Sequence, residues 1–263
     1  MTSKPTLRKG PRLITPNRHE NGAVRRGLAF AAVGVLWAGR AGAGPPYVTD
    51  DPEPTDIGHW EDRIFVSGTN LSGETSGQAG FDINYGVAKD VQLTLIAPLD
   101  FDTDGADRVG AGDVQLSIKY RFAHQSSTGW LPDISVFPQI DLPTARGRFG
   151  DGRVAVVLPV WAQKDIGPWS TFGGGGFDIN PGPGNRDYWL VGWGVTRQIT
   201  DRLQLGGEIY HQTSAQVGQP SSTVADLGFI YQLTTHFAFM ASGGPSLQTR
   251  GQAAFYAALQ LTY

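Results

Sequence analysis

The sequence contains no cysteine. Neither a disulfide framework nor a thiolate metal site is therefore available to it. It also lacks any internal run of 18 apolar residues, which excludes a transmembrane helix. A membrane-spanning β-barrel stays open, because its strands alternate and its overall hydropathy resembles that of a soluble protein. Positive charge becomes scarce once the N-terminal region is set aside. Of 21 Lys+Arg and 24 Asp+Glu, residues 1–43 hold eight bases and one acid. The remainder has 13 bases against 23 acids, a net charge of −10, which excludes nucleic acid as a partner. What is abundant is glycine, at 36 of 263 residues, together with aromatics. That length suits one large β domain or two small ones.

Residues 1–26 carry seven bases and Glu20, followed by the short apolar run GLAFAAVGVLWAG over residues 27–39 and an A-x-A site at Ala41 to Ala43. This is the pattern of a secretory signal peptide spanning residues 1–43, cleaved near Ala43. Residues 44–57, GPPYVTDDPEPTDI, hold four prolines and four carboxylates. Proline at that density forms neither a helix nor a central strand. The segment reads as a periplasmic linker or as a plug lying in a barrel mouth.

From residue 58 onward, turn signals divide the chain into strand-like segments. Twelve are expected, at 58–69, 76–86, 91–99, 111–122, 133–143, 153–164, 169–179, 187–198, 203–213, 222–232, 236–246 and 252–263. The fourth alternates most clearly: Val114, Leu116, Ile118, Tyr120 and Phe122 oppose Asp113, Gln115, Ser117, Lys119 and Arg121. Acid and base interleaved on one polar face suit a water-filled lumen, where charges can pair. The tight connections at 87–90, 165–168, 199–202 and 233–235 alternate with longer loops, with 123–132 the exception. Aromatics gather near segment ends, at Trp60, Tyr120, Phe122, Trp169, Tyr188, Trp189, Tyr231, Phe237 and Tyr263, as interfacial girdles require. Trp161 and Trp193 fall mid-segment.

The expected fold is all-β: a single transmembrane antiparallel up-and-down barrel of about twelve strands over residues 58–263. Its candidate lumen-lining residues are Glu61, Arg63, Asp82, Asn84, Asp113, Lys119, Arg121, Gln139, Asp141, Glu208, Tyr210, Asp226 and Gln232. The last segment, QAAFYAALQLTY, places Phe255, Leu259, Leu261 and Tyr263 on one face and ends on an aromatic residue. It looks like the closing strand of an outer-membrane barrel, with those four residues as the assembly signal. The expected location is the outer membrane. The partners are then its lipid and lipopolysaccharide, the barrel-assembly machinery and a small-molecule solute.

The stretches GPPYVTDDPEPTDIGHWE, AGDVQLSIKYRF and LPVWAQKDIGPWSTFGGGGFDINPG resemble a family of outer-membrane transporters associated with phenol degradation, the MetA-pathway family. The resemblance covers roughly residues 44–263. It implies a β-barrel and a role in the passage of small, often hydrophobic or aromatic, compounds. It carries no catalytic residues and assigns no substrate.

Other constellations are weaker. His211 and Ser214 have no orienting partner for nucleophilic catalysis. FGGGGFD, at 172–178, lacks the Lys-Ser/Thr pair of a phosphate loop and reads as a barrel corner or a place where a plug approaches closely. The acids Asp100, Asp102, Asp104 and Asp107 lack the terminal glutamate of an EF-hand. Arg146, Arg148 and Arg153 could meet lipopolysaccharide phosphates. No catalytic residue, cofactor or metal is expected. The rival to a channel is a non-conducting barrel that anchors the envelope.

Overall fold

The computed structural model describes residues 46–104, 109–150 and 152–263. The signal peptide expected over residues 1–43, and Asp107 of the acidic loop, lie outside the described residues. Among the described residues there is no α-helix, only a 3-10 turn at Gly147–Phe149.

Period-two sequence becomes strand wherever one face can be buried and the other cannot. In chain order the strands are β1 (Trp60–Leu71), β2 (Glu74–Ala88), β3 (Val91–Asp102), β4 (Val109–Ala111), β5 (Val114–Ala123), β6 (Asp133–Val136), β7 (Gln139–Leu142), β8 (Ala155–Ile166), β9 (Trp169–Ile179), β10 (Tyr188–Thr200), β11 (Leu203–Gln212), β12 (Ser222–Gln232), β13 (Phe237–Pro245) and β14 (Gln252–Thr262). Both β4 and β5 pair with β3. Both β6 and β7 pair with β5 and β8. Each couple is thus one wall strand with an interruption, and the wall has twelve strands. The breaks have local causes. Gly112 N–H donates to Pro98 O, stepping out of the ladder. Pro138 has no N–H to give to one.

All pairings between strands are antiparallel, and β1 closes on β14 with Glu61 opposite Thr262 and Leu71 opposite Gln252. Trp60 and Tyr263 exchange backbone hydrogen bonds of 2.7 and 3.0 Å at the seam. The tight turns after β2, β8 and β10 lie at this same end, as does the longer β5–β6 connection. At the opposite end most loops are longer. The β1–β2 hairpin departs from that rule: Ser72 (φ 54°) and Gly73 (φ 97°) make a two-residue turn whose double positive φ matches strand twist.

The two faces of the wall differ sharply. On β5, Gln115, Ser117 and Lys119 are buried while Leu116, Ile118 and Tyr120 are exposed. Ile64, Phe81, Leu95, Leu158, Ile209 and Leu259 continue the outward apolar band. Trp60, Phe122, Trp169, Trp189, Tyr231 and Tyr263 are exposed towards its ends. The mid-strand tryptophans divide: Trp193 is outward, its indole N–H donating to Thr171 Oγ1 at 2.9 Å, whereas Trp161 is turned inward and buried.

The inner face is polar along much of the wall but also carries apolar patches. Phe65, Ile96, Ala238, Met240 and Ala258 form an apolar cluster on the inner face. A second patch joins Tyr210, Val224 and Ala254 with Val48 and Leu190. Val48 belongs to the Pro/Asp-rich segment, and this segment, over 46–57, runs inside the barrel. It leaves the wall at Ile57, which bridges Gly86 of β2, and crosses the interior to reach β11 and β13.

Candidate functional site

The site is the barrel interior together with the segment crossing it. Glycines on the inner face make room for that segment. A Cβ at Gly192 would collide with Thr49 Oγ1, and one at Gly86 with the Asp56 carbonyl. At Gly206 it would lie 2.7 Å from Tyr47 Oη, and at Gly228 3.0 Å from Pro46 Cγ. The glycines of FGGGGFD serve a different purpose. Cβ atoms at Gly174 and Gly175 would strike the Val160 and Leu190 carbonyls of the adjacent strands. They permit close strand approach. It is Phe172, beside them, that meets the segment, with its ring 5.8 Å from that of Tyr47.

Polar groups hold the segment at three levels. Val48 and Thr49 N–H donate to the two carboxylate oxygens of Glu208 at 2.7 and 2.8 Å. Ser242 Oγ donates to Pro46 O at 2.7 Å. Lys119 Nζ lies 3.0 Å from Asp50 Oδ2 and donates to Asp51 O at 3.0 Å. Its ammonium also sits 4.8 Å above the Phe137 ring. Nearer the termini, Thr55 N–H donates to Gln92 Oε1 at 2.7 Å. Burial pushes the Asp50 carboxyl up to about 6, against the downward pull of Lys119. Burial, with Asp226 and Glu208 nearby, pushes the Tyr47 phenol above its ordinary range.

The candidate lumen residues fall into groups. Arg63 is the hub of the first. Its Nη1 donates to Asp82 at 2.8 Å, its Nε to Gln260 at 3.0 Å, and its Nη2 pairs with Glu61. Asn84 Nδ2 donates to Asp82 and to Glu61 O, while its Oδ1 accepts from Gln92 and Thr94. Arg121 lies 2.9 Å from Asp90 and 3.9 Å from both Asp133 and Glu53. Burial opposes ionisation of Asp90, but hydrogen bonds from Arg121 and His124 outweigh it and hold the carboxyl below the usual range. Glu208 and Asp226 stand opposite each other on β11 and β12. Tyr210 is buried two residues on. Asp141 accepts from Gln115 at 2.8 Å, and Asp113 accepts from Ala145 N–H. Gln139 is buried on β7. Gln232 is set apart: its amide donates to Thr234 O at the β12–β13 turn. Of the terminal set, Leu259 and Tyr263 are exposed and Phe255 and Leu261 half-buried, with Tyr263 Oη donating to Asp62 at 3.0 Å.

Sequence reasoning missed Gln92, Thr94 and Phe137, which alternate correctly but sit in segments of mixed character. It also missed the inner glycines, whose only signal is a partner far away in sequence. The remaining candidates take local partners. His211 Nδ1 lies 2.8 Å from Thr223 Oγ1, and Ser214 donates to Gln216 O. Asp100 accepts from Gln78, and Asp102 accepts from Asp104 N–H.

Several solved structures share this fold. An outer membrane channel from Pseudomonas putida F1 superposes with a TM-score of 0.64 at 13% identity, covering 81% of this chain and 98% of that one. The KdgM porin in complex with disordered oligogalacturonate gives 0.54 at 7% identity, over 76% and 99% of the two chains. The NanC porin gives 0.54 at 10%, over 75% and 98%. No curated protein matches the chain. Residues 71–262 match the family described as "Putative MetA-pathway of phenol degradation", and the chain belongs to that family.

Proposed function

We propose that the chain is an outer-membrane channel through which small molecules, hydrophobic or aromatic ones among them, pass down their gradient. Residues 46–57 act as its internal plug. The observation that carries this reading is the way the segment is held. It lies in a closed barrel on hydrogen bonds that it donates to Glu208 and accepts from Lys119 and Ser242. The inner apolar cluster around Phe65 and Met240 supports a solute with apolar surface. Residues 1–43 are removed on export. The outward band faces lipid, Arg146 and Arg153 reach lipopolysaccharide, and the terminal strand presents the chain to the assembly machinery.

The rival reading, a non-conducting anchor, is favoured by the same crossing segment, because an interior blocked by ion pairs is what an anchor would have. Against it stand the enclosed Ser117, Ser135 and Gln139 oxygens and the Trp161 N–H, which make no hydrogen bond to any described protein group. A permanent plug would be expected to satisfy such groups or replace them. An interior that rehydrates when the segment withdraws has a use for them. In planar bilayers the wild-type barrel should give small conductance steps. Glu208→Ala, which removes both acceptors of the segment's N–H groups, should enlarge them several-fold. A folded, heat-modifiable barrel that conducts in neither form would leave the anchor as the function.

A further inference from the structure

Between the segment and the wall, at the end where the chain termini meet, lies a cavity of about 280 Å³. The wall around it is electrically balanced: Glu61 and Asp82 face Arg63 and Lys119. The segment is not balanced. It brings Asp50, Asp51, Glu53 and Asp56 to the cavity and no cation. With His59 counted as neutral, the lining therefore carries a net charge of −4, all of it owed to the segment. A sphere of this volume has a radius of about 4 Å, half the ~8 Å Debye length at physiological salt. No point in the cavity is then farther than about one Debye length from those carboxylates, so their field is only partly screened there. That sum already counts both wall cations, Arg63 being engaged by Asp82, Glu61 and Gln260, and Lys119 by Asp50 and Asp51 of the segment.

We infer that residues 46–57 also set the charge selectivity of the passage. Asp51, Glu53 and Asp56 make the mouth cation-selective, so that it admits neutral or cationic small solutes and excludes carboxylate and phenolate anions. The inference rests on the channel reading proposed above. These three acids are separable from the anchoring contacts. Asp51 Oδ1 is 3.9 Å from Lys119, and Glu53 Oε1 is 3.9 Å from Arg121. The acceptor that Asp51 offers to Glu53 N–H survives in an asparagine.

The test is the reversal potential of the full-length processed barrel in a KCl gradient. Wild type should prefer K⁺ over Cl⁻ by on the order of five-fold, as a ring of carboxylates in a narrow pore does. The triple variant Asp51→Asn, Glu53→Gln, Asp56→Asn should bring the ratio close to unity at unchanged heat-modifiable migration. Should the triple variant misfold, Glu53→Gln alone, at a largely exposed side chain, should still lower the ratio. Conductance without cation preference, or a preference untouched by these substitutions, overturns the selectivity inference and leaves the channel standing. Absence of all conductance overturns both.

Discussion

Arg63 shows what a charged side chain costs and returns inside this barrel. It is buried, and so is Asp82, and the pair is tolerable only because each nitrogen of the guanidinium has an acceptor. Arg63→Ala would leave Asp82 and Glu61 uncompensated and should destabilise the barrel by ~3–5 kcal/mol in urea titrations of lipid-folded protein. Arg63→Lys should lose part of this, because an ammonium cannot serve three acceptors in a plane. Asp50 titrates in the other direction from an ordinary paired acid. Its folded value of about 6 lies above the unperturbed 3.8, so the docked segment holds a proton that the free segment would release. Docking is therefore strongest below pH 4 and weakens as pH rises to 6, by ~3 kcal/mol at most for a shift of about two units. The charges facing Asp50 are Lys119 and Asp51. Protease cleavage within 46–57 should rise between pH 4 and 7 in wild type and stay flat in Asp50→Asn. Period-two spacing already groups Asp82 with Asn84 and Asp113 with Lys119. Which acid meets which base is not legible, because those pairings are made across strands and, for Asp50 and Lys119, over 69 positions.

The wall strands were the most legible elements, because alternation is a local property that the barrel leaves intact. Ten of the twelve are continuous and lie within three residues of their expected limits, β9, β12 and β14 closest among them. The interruptions at Gly112 and Pro138 were invisible because they depend on neighbouring strands. So did the route of residues 46–57: a proline-rich segment has no period, and Val48 finds its partner 160 residues away. Exposure on the outer face makes a direct prediction. Leu116→Arg places a charge in lipid near mid-strand and should cost ~2–4 kcal/mol, whereas Leu116→Phe should fold like wild type in the same titration. Ser117→Arg is no neutral control, since Ser117 is enclosed at 8% exposure and an arginine there would overpack the interior.

At the scale of the molecule, barrel and inner segment are two bodies of one chain, joined at Ile57 and otherwise held by non-covalent contacts. A channel with a moving plug and an anchor with a fixed filling therefore have the same static interior and differ only in whether the segment must leave. The absence of cysteine makes that separable in one chain. A Cβ at Gly192 would lie 3.2 Å from Thr49 Cβ, near the ~3.5–4.5 Å window that a disulfide spans. The double variant Thr49→Cys, Gly192→Cys should oxidise to a single intramolecular bridge tying the segment to β10. Conductance in planar bilayers should fall to the baseline of an empty membrane when oxidised and recover on addition of dithiothreitol. A bridge confirmed by mass spectrometry that leaves conductance unchanged would mean that solute passes beside a static segment. The hydrogen bonds to Glu208 would then be structural ties rather than a latch.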